Sequence, residues 1–206
     1  MFFSTIHIAL LAAISGVHGH AVVEDPPPRK ARTPVIPFTH QTLTLCKTGP
    51  SHIAACGQAV VDVLERDIAG PIENAVWEAD ADYNCNAFLC RGYQFEDNSD
   101  NVLVVAAGDV LDFHVDLVAG HHPGYANVSV VETATNEVIG EPLRSWDDWP
   151  NHLSGPPRDD IDYNVTIPDS LGSSCAEAGN CVIQWYWYAS GNEQTYESCH
   201  DFYVKG

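Results

Sequence analysis

Asp109-Val-Leu-Asp-Phe-His-Val-Asp116 and Cys181-Val-Ile-Gln-Trp-Tyr-Trp-Tyr188 are the stretches whose reading decides the fold. In the first, Val110, Asp112, His114 and Asp116 alternate with Leu111, Phe113 and Val115, the period of two that gives a strand one dry and one wet face. In the second, Ile183, Trp185 and Trp187 share one face and Gln184, Tyr186 and Tyr188 the other. Around them, 102–107, 110–118, 125–133, 181–188 and 202–204 read as strands, rich in β-branched and aromatic residues and bounded by turn formers. Helical spacing occurs once, over 53–68, ending before Gly70-Pro71. Residues 21–37 carry five prolines and are expected to be extended, laid over a surface. Residues 80–98 form a polar, cysteine-pinned excursion. The expected fold class is mostly β: an antiparallel immunoglobulin- or fibronectin-like β-sandwich with long loops and one or two short helices.

The chain has 206 residues, 45% of them apolar, enough for one hydrophobic core. Nine Lys and Arg against 28 Asp and Glu give a formal charge of -19, a field that repels phosphate. Nucleic-acid and anionic-membrane partners are therefore not expected. The first nineteen residues, MFFSTIHIALLAAISGVHG, hold an apolar run too short to span a bilayer, followed by small residues that suit signal peptidase. Residues 1–19 are read as a signal peptide and 20–206 as a single secreted, extracellular domain that begins with His20. Arg29-Lys30 also reads as a dibasic processing site, and cleavage there would remove His20.

Seven cysteines fit an oxidising compartment. Cys85 with Cys90, and Cys175 with Cys181, are close enough in sequence to staple local loops, which leaves Cys46, Cys56 and Cys199 unassigned. Asn127-Val-Ser129 and Asn164-Val-Thr166 are glycosylation sequons.

An N-terminal histidine offers one metal ion two nitrogens, the α-amine and imidazole Nδ1. A free α-amine ordinarily titrates at about 7.7–8.0, so a metal displaces its proton near neutrality. A second histidine would complete a three-nitrogen, tetragonal site of the kind copper prefers. Matching residues are present. His20 is followed by Pro27-Pro28-Arg29; a His-Pro-Gly-Tyr segment starts at His122; and Gln194-Thr195-Tyr196-Glu197-Ser198-Cys199 lies near the end. In order and together, these resemble the lytic polysaccharide monooxygenases, secreted copper enzymes with such a histidine brace. CNAFLCRGYQFEDN and CVIQWYWYASGNEQTYESCHDF look most like the fungal branch grouped with chitin-binding type-4 domains.

The resemblance implies one mononuclear copper ion held by His20 and His122, with Tyr196 axial to it and Gln194 beside the oxygen species. His121 precedes His122 directly; neighbouring residues of a strand face opposite ways, so only one reaches the ion, and His122 carries the Pro-Gly-Tyr match. The implied activity is oxidative cleavage of an insoluble β-1,4-linked polysaccharide, cellulose ahead of chitin, using O2 or H2O2 and an external electron donor. A monomer is expected. A copper-binding or copper-delivery protein without cleavage, and a non-catalytic carbohydrate-binding protein, are the alternatives. Brace proteins that only carry copper tend to have a C-terminal anchor signal, and no hydrophobic run follows Val204 here.

Other residues have plainer readings. His40, His52, His114 and His152 have no motif around them and are expected at surface or hydrogen-bonded positions. Trp185 and Trp187 are expected in the core. Asp147-Asp148 and Asp159-Asp160 invite a glycosidase reading, but two carboxylates become catalytic only when geometry sets them across a sugar. Neither His-Glu-x-x-His nor Gly-x-Ser-x-Gly occurs.

Overall fold

The alternation in the two diagnostic stretches becomes two packed sheets in the computed structural model, which describes residues 20–29, 68–69, 88–151, 157–191 and 194–206. Strands β1 (His20–Asp25), β4 (Val110–Ala119) and β8 (Asp162–Thr166) form an antiparallel three-stranded sheet in the order β1-β4-β8. The second sheet is seven-stranded. Its spine is β10 (Gln194–Val204), β9 (Cys181–Ala189) and β5 (Tyr125–Glu132), paired antiparallel. The short strands β2 (Ile68–Ala69) and β3 (Val102–Val105) pair with β10, and β6 (Glu137–Val138) and β7 (Arg144–Trp146) pair with β5.

Burial follows the predicted faces. On β4, Phe113 and Val115 are buried while Val110, Asp112 and His114 are exposed. On β9, Ile183, Trp185 and Trp187 are fully buried, as a core role requires. Gln184 and Tyr186, on the other face of β9, are buried too, because β9 is a central strand with its outer face covered. The core between the sheets is aromatic: Trp149 lies edge-on to Trp185 and Trp187, with centroids 5.2 and 4.9 Å away. Such pairs add to the area they bury.

The cover over the outer face of the large sheet comes from residues 88–98, the described part of the cysteine-pinned excursion. They make two 3-10 turns, Cys90–Gly92 and Phe95–Asp97. The expected Cys85–Cys90 bridge is corrected here, since Cys90 is bonded to Cys199 of β10. Cys90 and Arg91 adopt positive φ (57° and 54°), a turn that carries the sulfur down onto the sheet instead of along its own loop. The expected Cys175–Cys181 bridge is present. Arg29 lies under the same cover, 7% exposed, its guanidinium forked onto Asp201 with both contacts at 2.6 Å. The dibasic reading therefore meets a folded chain in which the Arg29 side chain is withdrawn from solvent.

Four further differences from expectation are seen. Residues 20–25 are not merely draped on a surface but are a sheet strand, with Val23 fully buried. β3 runs parallel to β10, an exception to the antiparallel pattern. β10 begins at Gln194, well before residue 202, because pairing along all of β9 extends it. Ile68, the expected last residue of a helix, pairs with Thr195 as strand. The rest of that stretch, with Cys46, Cys56, Cys85, His40, His52 and His152, lies outside the described residues, as do residues 1–19. α1 (Arg158–Ile161) is the one α-helix among the described residues.

Candidate metal centre

Three strands bring the candidate residues to one end of the sandwich. β1 starts at His20, whose Cα pairs with Ala119 at the end of β4, and the chain turns through 120–124 into β5. Tyr196 on β10 pairs with Trp187 on β9, which in turn pairs with Ala126 on β5. The turn is packed so closely that a glycine is required at residue 124. A Cβ there would lie 2.7 Å from the Tyr188 carbonyl and 2.8 Å from the Trp149 carbonyl. Gly191 is confined in the same way, 2.7 Å from the His122 carbonyl. The backbone carrying the two histidines is thus clamped from both sides.

The adjacent histidines face opposite ways. The His121 ring lies against the aromatic pair Trp187 and Tyr196, 6.2 and 6.4 Å between centroids and tilted 25° from each, and its Nε2 is shielded from solvent. His122 points elsewhere, its Nε2 2.8 Å from Asp148 Oδ1, with both side chains well exposed. The structure therefore brings His121, and not His122, beside Tyr196. Tyr196 is itself fixed. Its ring stacks on Trp187 with centroids 4.4 Å apart, and its hydroxyl donates to Gln194 Oε1 at 2.6 Å. Gln194 and Tyr196, which the resemblance sets at one site, are in direct contact.

The residues fit a nitrogen-rich metal with open positions. An imidazole and a phenol stand at this end, and the backbone nitrogen of His20 would join them as an amine if the chain were cut before it, a borderline set that would suit copper better than a hard, oxygen-seeking ion. Among the described residues no three His, Cys, Asp or Glu side chains close into a cage that would suggest a different ion. Nothing in the sequence ranked His121 above His122. The signal that separates them is the pair Asp148 and Trp187, which come from distant parts of the chain.

The other titratable groups act structurally. Glu197 follows Tyr196 but points to the outer face of the sheet, where burial pushes its carboxyl up to about 8 against the opposing Arg91 backbone hydrogen bond and charge. His114 binds Asp162 at 2.6 Å on the surface, and that bond holds the Asp162 carboxyl below its usual range. The acidic pairs have structural partners. Asp148 receives His122, Asp160 accepts the Trp146 indole at 2.7 Å, and the Asp159 carbonyl accepts Arg144.

Comparison with known proteins gives results of unequal weight. Three solved structures overlap about half of the chain. They are an AA10 lytic polysaccharide monooxygenase from Streptomyces lividans (16% identity, TM-score 0.35), a CBM33 protein from Bacillus amyloliquefaciens solved with Cu(I) (11%, 0.34), and a chitin-binding domain from Burkholderia pseudomallei (12%, 0.31). Each match covers 50% of this chain, and 59%, 55% and 56% of the respective structures. No curated protein matches by sequence search. The family model for lytic polysaccharide mono-oxygenases, described as cellulose-degrading, matches residues 20–202, nearly the whole length from the first residue of β1. The chain belongs to the lytic polysaccharide mono-oxygenase family.

Proposed function

We propose that the mature chain begins at His20, is secreted, and acts as a copper-dependent monooxygenase that cleaves an insoluble β-1,4-linked polysaccharide, cellulose before chitin. The family match begins at residue 20, and its description names cellulose. The observation that carries the reading is the His121 ring set beside the Tyr196–Gln194 pair, at the end of the sandwich where β1 starts. His20, through its amine and ring, and His121 are the residues that would hold the metal, with Tyr196 beside His121. His122 is assigned to Asp148 instead.

When bound, copper would supply the one-electron and oxygen chemistry, fed by an external electron donor. The chain's part is position and protonation. The His20 amine must lose its proton to bind, so acid weakens the site. Trp187 fixes the plane of Tyr196, and Gln194 accepts its hydroxyl hydrogen bond, which commits the phenol hydrogen to Gln194. Asp148 draws the His122 ring outward, which keeps the second imidazole from competing for the same ion.

Copper titration by calorimetry and electron paramagnetic resonance on protein with a free His20 amine tests the assignment. His121→Ala should cost at least tenfold in copper affinity, in the range known for disturbed metal sites, and change the spectrum. His122→Ala should leave both nearly intact. The reverse pattern would sink the His121 assignment. Oxidised oligosaccharides from cellulose with ascorbate test the activity; copper binding without products would make the chain a carrier.

A further inference from the structure

Of the two sequons, only one lies where the fold has built something around it. Asn127 sits on β5, and because strand side chains repeat every second residue, Tyr125, Asn127 and Ser129 project together from the outer face of the large sheet. Ala126, Val128 and Val130 point the other way, into the core. The register sets Tyr186 opposite Asn127 and Gln184 opposite Ser129. These side chains, with Phe88, line an open hollow of about 210 Å³. Tyr125 is 43% exposed, its ring 6.2 Å from that of Tyr186 and 5.8 Å from that of Tyr188. The result is a hollow in which Tyr125 offers an exposed ring, backed by the buried Tyr186 and bordered by amides and a hydroxyl. Ser129 Oγ donates to Asn127 Oδ1 at 3.2 Å and so orients the amide.

That is the lining a sugar ring needs: a flat aromatic face for its C–H surface and short polar groups for its hydroxyls. We propose that Asn127 carries an N-linked glycan and that its first N-acetylhexosamine lies in this hollow against Tyr125, completing the packing of the outer face. In attachment, Asn127 Nδ2 forms a bond to the anomeric carbon of a lipid-pyrophosphate-linked oligosaccharide. The bond from that carbon to the pyrophosphate oxygen breaks, the lipid pyrophosphate leaves with the electron pair, and the amide gives up one proton. The transfer acts on the chain during export, before β5 pairs.

Asn164 provides the internal contrast. It is exposed on β8, flanked by Asp162 and Thr166 and faced across the pair by Asp112, with His114 and Arg158 both engaged by Asp162. Apart from the His114 ring, which is tied to Asp162, these neighbours are short and polar, so a glycan there would extend into water. The proposal needs export but not the copper reading, so either can fail alone.

The full chain is secreted from a eukaryotic host, and occupancy is read by enzymatic glycan release in heavy-oxygen water followed by peptide mass analysis. Unfolding equilibria are then compared for wild type, Asn127→Gln, Tyr125→Ala and the double variant, each also made without glycans in a bacterial host. For glycosylated protein, Asn127→Gln should raise the unfolding equilibrium constant about fivefold, the size of one aromatic contact, and have no effect once Tyr125 is Ala. Without glycans it should be neutral in both backgrounds. On the folded wild type, the amidase should release the Asn127 glycan more slowly than one on Asn164. An unmodified Asn127, an equal loss with and without Tyr125, or release at rates that do not depend on Tyr125 would overturn the proposal.

Discussion

His200 sets the acid limit of the fold. It is 1% exposed, its ring stands perpendicular to that of Phe113 with centroids 5.0 Å apart, and its polar contacts are with the Pro27 and Pro26 carbonyls. Burial lowers its pKa from 6.5 to about 3, with the Pro26 and Pro27 carbonyls opposing. The folded chain therefore keeps the ring neutral while the unfolded chain takes up a proton below pH 6.5. This group's contribution is fully present above 6.5 and is lost as pH falls towards 3. At about 1.4 kcal/mol per pH unit, the loss is roughly 3 kcal/mol by pH 4.5. In urea that is a midpoint shift on the order of 1 M. His200→Phe keeps an aromatic ring of similar size and removes the proton acceptor. The variant should match wild type within about 1 kcal/mol at pH 7.5, since burying an apolar ring in place of a polar one offsets the repacking and the lost contacts with the Pro27 and Pro26 carbonyls. It should then outlast wild type progressively in acid. Urea unfolding from pH 7.5 to 4.5 gives the test as a difference between the two proteins, in which Glu197, with the opposite dependence, cancels. A difference independent of pH would refute the reasoning.

Three more outcomes follow from packing. Replacing Cys90 and Cys199 with Ser opens a loop of 109 residues and should cost about 5 kcal/mol by the chain-entropy relation, against about 2 for Cys175 and Cys181, which are six residues apart; non-reducing urea titrations compare them. Gly124→Ala forces a methyl into two carbonyls below 3 Å and should destabilise by about 1–3 kcal/mol while weakening copper affinity, because the same turn carries His121; thermal melts and copper titration read both effects. Arg29→Met leaves the Asp201 carboxylate buried without its guanidinium and should cost about 3–5 kcal/mol in urea unfolding, most of which Asp201→Asn in the same chain should restore.

Much of this protein is legible from the chain because it rests on local repetition. Alternation over 109–116 and 181–188 gives the strands and their faces, since a period of two follows from backbone geometry alone. Gln194 and Tyr196, paired by the family resemblance, are in contact because β10 reaches back to residue 194 and residues two apart share a strand face, and Cys175 with Cys181 gives a real bridge because the loop between them is short. What needs partners from far along the chain does not follow from spacing. Cys90 bypasses its sequence neighbour for Cys199, because a left-handed turn points it at the sheet. Which of two adjacent histidines faces Tyr196 depends on Asp148, Trp187 and the room left by Gly124 and Gly191. Which of two sequons meets a tyrosine-lined hollow depends on β5 pairing with β9 in one register. Sequence patterns fix direction along an element; only the packing of separate elements fixes what stands in that direction.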